Sequence, residues 1–211
     1  DNIVFKVGNI SLPAAAGANV ISPLSFFGEE ATTDNVEVLN LVRFIMSAGE
    51  VGGDGKIKIG ANPFGGREGI FDDDLWNTLL NEGEITVSES EAKEHLEETL
   101  LKAYSGDYSG TWSGTAHYPG ENLIQTSGTW KIEIAENAQV VGSYTGTFDG
   151  ETIGGNVTGE VDPNGNTDLG ANGQAGGIVV WSGKIDLANG TMAGDYSGDY
   201  EKGTFAGKKI N

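Results

Sequence analysis

Polar and apolar positions follow two different rhythms along this chain. From residue 104 onward the rhythm is strict alternation. Tyr104, Gly106, Tyr108, Gly110, Trp112, Gly114, Ala116 and Tyr118 fall on one parity, and Ser, Asp, Thr and His fill the other. The pattern returns in Gly128–Trp130–Ile132–Ile134, Val140–Gly142–Tyr144–Gly146–Phe148 and Ile153–Gly155–Val157–Gly159–Val161. It returns again in Val179–Trp181–Gly183–Ile185, Met192–Gly194–Tyr196 and Gly203–Phe205–Gly207. Period two marks strands with one dry face. Residues 135–138, Asp149-Gly150, Asn164-Gly165 and Asn189-Gly190 separate the runs, and Asp-Gly or Asn-Gly favours tight hairpins. The spacing predicts about eight antiparallel strands in simple succession, as a small barrel or half-barrel. Glycine beside each ring lets a curved sheet close and lets a ring lie over the neighbouring strand.

Before residue 104 the rhythm is mixed. Ile3, Phe5 and Val7, then Ile10 and Leu12, alternate as two short strands, and Val20–Leu24 reads as an edge or extended stretch limited by Pro23. Val38, Leu41, Val42, Ile45 and Met46 follow the helical period, with Thr33 or Asp34 as cap and Gly49 as stop. A second helix is expected over Asp73–Asn81 on the stripe Leu75, Trp76, Leu79 and Leu80. A third begins at Ser88, where Ser88 and Glu91 form a capping box. The glycine-rich stretch from Gly49 to Gly69 reads as a flexible loop apart from a short Ile57–Ile59 strand.

Composition sharpens the division. Of 34 glycines, 12 precede residue 103 and 22 follow it. The expected fold class is α+β: an N-terminal α+β domain over 1–102 with three helices, then an all-β domain over 103–211. Twelve basic against 31 acidic residues give a formal charge of -19. So acidic a chain has no excess cation to neutralise phosphates, which excludes nucleic acid and disfavours an anionic membrane surface. No apolar run approaches the length of a membrane-spanning helix. Without cysteine there are no disulfides, thiolate nucleophiles or Cys-ligated zinc.

Several segments of the first half resemble a widespread group of proteobacterial envelope proteins, usually labelled uncharacterised proteins or lipoproteins. They are Phe5-Lys6-Val7-Gly8 with Ile10 and Leu12, Ile21-Ser22-Pro23-Leu24, Val38 through Ile45, and Val87-Ser88 leading to Ala92 through Leu100. In such proteins this block precedes a Tyr/Ser/Gly/Thr-rich tail like Tyr104–Thr115 here. The resemblance is discontinuous and covers roughly residues 3–115. It implies export to the periplasm or cell surface, with a lipid anchor upstream of residue 1. It implies no activity. Relatives carry an acidic run after the first helix, which residues 47–52 largely replace here.

Candidate chemistry is sparse. Asp162, Asn164, Asn166 and Asp168 space oxygen side chains at alternate positions, as calcium loops do, but hairpin turns use the same residues for backbone reasons. His95 and His117 are the two histidines, one on a helix and one on a polar strand face, and neither accompanies a nucleophile motif. The many Ser-x-Gly triplets are strand texture, and no glycine cluster sits at a strand-to-helix turn where phosphates bind. Trp112, Trp130, Tyr144 and Trp181 are the candidate ligand-binding residues: in a barrel they either fill the interior or line a pocket for an apolar ligand. The expectation is a non-enzymatic envelope or surface protein without cofactor, acting by binding or interaction. A small-barrel carrier of an apolar ligand is the first alternative, and a hydrolase with an unidentified site is the second.

Overall fold

A computed structural model describes residues 2–18, 20–28, 30–53, 56–172 and 177–210. The chain divides into two compact units, 1–99 and 100–211, a few residues ahead of the change in glycine content.

In the first unit, β1 (Asn2–Val7) and β2 (Asn9–Ala16) form a hairpin across Gly8. Strand β5 (Glu68–Ile70) adds to β2 in parallel. Helices α1 (Val36–Ser47) and α2 (Asp73–Asn81) bring Leu41, Phe44, Trp76 and Leu79 into one core with Val7, Ile10 and Leu12. Helix α3 (Glu89–Tyr104) starts at the expected capping box: the Ser88 amide donates to Glu91 at 2.9 Å and the Glu91 amide to Ser88 at 3.3 Å.

Four local expectations are corrected. The Val20–Leu24 stretch is no strand; Pro23 opens a 3₁₀ turn over Pro23–Phe26, where its missing N–H costs nothing. Thr33 and Asp34 do not cap α1, which starts after Asn35; they reach α3 instead, Asp34 through a salt bridge to Lys93 and Thr33 through a hydrogen bond to Glu97. The 49–69 segment holds a hairpin of β3 (Gly49–Val51) with β4 (Ile57–Ile59), and buries Phe64, whose ring stacks on Phe44 at 4.9 Å. Of the β1 alternation only Val7 is buried, while Ile3 and Phe5 stay exposed.

The second unit is a closed barrel. Strands β6 (Gly106–Ala116), β7 (Ile124–Ile134), β8 (Gln139–Phe148) and β9 (Glu151–Val161) follow one another, then β10 (Asn166–Asn172), β11 (Ile178–Asp186), β12 (Thr191–Ser197) and β13 (Glu201–Lys209). Each pairs antiparallel with its neighbour, and β13 returns to pair with β6, giving eight strands in up-and-down order. The β8–β9 link is the two-residue Asp149-Gly150 turn, with φ of 47° and 81°, the positive pair that a tight hairpin needs. Tyr104 belongs to the last turn of α3, and Gly106, at φ 130°, turns the chain into β6.

The predicted parity is the parity of burial. Tyr108, Trp112, Trp130, Tyr144, Val157, Trp181, Tyr196 and Phe205 all point inward and are buried. The register pairs glycines across strands: Gly110 with Gly207, Gly114 with Gly203, Gly128 with Gly146, and Gly183 with Gly194. Around the barrel, two rings alternate with two glycines, as in Gly183–Gly194–Phe205–Trp112–Gly128–Gly146. The space is fully taken. A Cβ on Gly146 would lie 2.3 Å from the Ser127 carbonyl and 2.4 Å from the Trp112 indole; one on Gly183 would lie 2.5 Å from the Ala193 carbonyl and 2.7 Å from the Phe205 ring.

Gly146→Val and Gly183→Val are therefore expected to destabilise the protein by about 1–3 kcal/mol each, despite better strand propensity. Ser143→Val and Ser182→Val, on the outer face, should stay within about 0.5 kcal/mol of wild type. Denaturant titration of the four variants reads the difference directly.

Candidate functional site

The two ends of the barrel differ. At the end where α3 enters, the Tyr104 hydroxyl lies against Gly165 and donates to the Pro163 carbonyl at 3.4 Å. The Tyr108 hydroxyl donates to the Tyr104 carbonyl at 2.9 Å. Lys209 Nζ donates to the Ala103 carbonyl at 3.0 Å and sits 5.8 Å from the centre of the Tyr108 ring. Burial pushes the Tyr104 hydroxyl up, helped by the negative charge of Asp162, and pushes Tyr108 up to about 12. This end is plugged by phenol rings.

The opposite end holds a pocket of about 330 Å³. Tyr144, Ile153 and Val179 come from the inner faces of β8, β9 and β11 and are buried. Tyr118 and Tyr200 come from the segments beyond β6 and before β13, and Phe148 from the end of β8. The Tyr118 ring lies 5.8 Å from Phe148, edge to face, and 5.0 Å from Tyr200. Below this pocket a recess of about 10 Å³, room for about one water, is bordered by Trp112, Trp181 and Tyr196.

One carboxylate belongs to both spaces. Glu201, the first residue of β13, has the inward parity of Gly203, Phe205 and Gly207. It is half-buried, and its side chain takes no hydrogen bond or salt bridge among the described residues. Burial pushes its carboxyl above the usual value. Its charge in turn adds to the effect of burial in raising the hydroxyls of Tyr118, Tyr144 and Tyr196. Asp199 also lines the pocket, from an exposed position at the rim.

The sequence-predicted aromatics divide between these spaces. Tyr144 lines the pocket and fixes its hydroxyl on the Asn172 carbonyl at 2.9 Å. Trp112 and Trp181 border only the recess. Trp130 is packing: it meets Phe205 edge to face at 6.0 Å. The indole N–H groups of Trp112 and Trp130 are taken by the Thr145 and Thr111 carbonyls at 3.2 and 3.1 Å, so neither offers a donor to a ligand. Beyond Tyr144, sequence reasoning missed the pocket lining, Tyr118, Phe148, Ile153, Val179, Tyr200 and Glu201 among it. Extending the β13 alternation back by two residues reaches Glu201. His117, expected on a strand face, lies just past β6, its amide bound to the Tyr200 carbonyl at 2.7 Å, and His95 is half-buried on α3.

The oxygen-rich stretch is brought together as a turn. Asp162 accepts the amides of Asn164 and Asn166 at 2.9 and 2.8 Å and the Asn166 side-chain amide at 2.7 Å. Asn166 and Asp168 sit in β10, with Asp168 on the exposed face. Among the described residues, no group of three or more His, Asp or Glu side chains is arranged to hold a metal ion.

No family model matches the chain, and no curated protein matches it. Among solved structures, Rv2717c from M. tuberculosis is similar over 55% of this chain and 98% of its own length, at 9% identity and a TM-score of 0.34. No helix among the described residues is long and apolar enough to cross a membrane.

Both the turn and the half-buried carboxylate lend themselves to measurement. Asp162→Ala should cost about 1–2 kcal/mol by releasing the turn, and calcium should leave the wild-type melting temperature unchanged. A calcium-dependent rise abolished by that substitution would restore the metal reading. For Glu201, a carboxyl raised by folding favours the protonated form in the native state. Its stabilising contribution is complete below the ordinary value of 4.5 and is lost as pH rises through the raised one. Thermal melts from pH 4 to about 7 should therefore show Glu201→Gln gaining on wild type as pH rises.

Proposed function

We propose that this is a non-enzymatic binding protein of the bacterial cell envelope that takes a small, largely apolar ligand into the open mouth of its barrel. The observation that carries the reading is the asymmetry of the barrel: one end plugged by Tyr104 and Tyr108, the other opening into about 330 Å³ of space walled by aromatic and aliphatic side chains. That volume lies at the lower edge of the range for small-molecule pockets, and the mouth of a small barrel is a common place for one. The aromatic network beneath gives the pocket a rigid floor. Trp181 lies 5.6 Å from Tyr196 and 5.0 Å from Phe205, and Trp112 meets both Tyr144 and Tyr196 edge to face. Assignment to the envelope rests on the resemblance of residues 3–115 to exported proteins.

A surface interaction module is the second reading. It draws on the hydroxyl-rich outer face, where Thr129 and Thr145 meet across strands at 3.3 Å. Catalysis draws less support. Glu201 would have to act with the exposed Asp199 or with phenols, since no histidine lines the pocket among the described residues.

Titration with the neutral apolar dye N-phenyl-1-naphthylamine tests the first reading. Fluorescence should rise with saturable one-to-one binding. Ile178→Asp, on the exposed rim, should weaken the dye about tenfold without changing the melting temperature. Ile153→Trp, which fills the floor, should abolish binding. An unsaturable dye signal, or one indifferent to both substitutions, would leave the outer surface as the working face.

A further inference from the structure

The pocket lining carries charge of one sign. Glu201 and Asp199 are acidic, and no Lys, Arg or His lines the space among the described residues. The neighbouring cation in sequence, Lys202, has the outward parity and is exposed. Glu201 is thus a half-buried carboxylate facing aromatic walls with no partner of its own. Such a group is costly in an apolar site unless an opposite charge meets it. Each class of occupant has a different consequence. A neutral apolar ligand would strip water from Glu201 and give nothing back. An anion would add repulsion from both carboxylates. A cation would pair with Glu201 and also meet the negative faces of the Tyr118, Tyr144 and Tyr200 rings.

We propose that the mouth of the barrel selects an organic cation, an ammonium group carried on an apolar body, with Glu201 as its counter-ion and the tyrosine rings as its walls. This rests on the reading of the mouth as a small-ligand site and names the chemical class that site takes. The carboxylate stands where the pocket narrows toward the recess, since Glu201 borders both. The ammonium end therefore points inward, and the apolar body extends outward toward Phe148, which lines the pocket but not the recess. The exposed Asp199 contributes long-range attraction at the rim, where solvent screens it.

Displacement of N-phenyl-1-naphthylamine by three probes of one shape tests this: 4-phenylbutylamine, 4-phenylbutanol and 4-phenylbutyrate. Wild type should bind the amine at least about tenfold more tightly than the alcohol, with the carboxylate weakest. Glu201→Gln should erase the preference for the amine, weakening the amine while the alcohol and the dye, no longer desolvating a charge, bind more tightly than to wild type, and a cooperative melt at or above the wild-type temperature reports that the variant is folded. Asp199→Asn should keep most of the preference. Equal binding of amine and alcohol to wild type, or a preference that survives Glu201→Gln, overturns the cation proposal while the apolar pocket stands. Loss of the preference in Asp199→Asn alone overturns the role given to Glu201. Failure of wild type to bind the dye or any probe overturns the pocket itself.

Discussion

Closure of the barrel depends on backbone approaching backbone with nothing between. Where Gly128 faces Gly146, or Gly110 faces Gly207, a single methyl would collide with the carbonyl of the adjoining strand. The glycines permit strong curvature, and curvature lets eight strands meet without an open edge. The rings answer the same constraint from the other side. Each glycine pair leaves a hollow in the inner wall, and an indole or phenyl from another strand lies in it: Trp112 over Gly128 and Gly146, Trp130 over Gly207, Phe205 over Gly183. Ring and hollow are two halves of one packing unit. A chain with an apolar share of only 37% can fill a barrel because a few large rings do most of the filling.

That economy sets the chemistry at the mouth. The middle of the barrel is filled by rings, and the indole N–H groups of Trp112 and Trp130 are spent on backbone carbonyls. Space remains where the strands end and the ring–glycine alternation lapses, around Tyr118, Phe148 and Tyr200. The unpaired Glu201 sits where that lapse begins.

Most of the fold was legible because alternation is a local signal. Each inward ring announces its strand, and the Asp-Gly and Asn-Gly turns punctuate the runs. Strand β10 was harder to read: its inward residues are Thr167, Leu169 and Ala171, with no ring among them, and its first residues double as a plausible metal loop. Pro23 read as a limit to an extended segment because its place at the first position of a 3₁₀ turn depends on the conformation of Leu24, Ser25 and Phe26. Thr33 and Asp34 were misread as caps because their partners, Glu97 and Lys93, lie on a distant helix. The pocket was less legible than the barrel. Tyr144 was visible as an inward ring, but the walls from Tyr118 and Tyr200 lie outside the regular strands, where parity says nothing about direction.

The pairing of β13 with β6 has a consequence for the order of assembly. Seven of the eight strands can add one after another along the chain, each beside its neighbour in sequence. The seam cannot form that way: Tyr108 through Ala116 find their partners in Lys209 through Glu201, the last strand of the circuit. Until then β6 is a long free edge rich in serine, threonine and glycine, able to recruit a strand from another incompletely folded chain. The barrel is therefore most exposed to intermolecular pairing just before it is complete, and chains interrupted before residue 201 would stay in that vulnerable form.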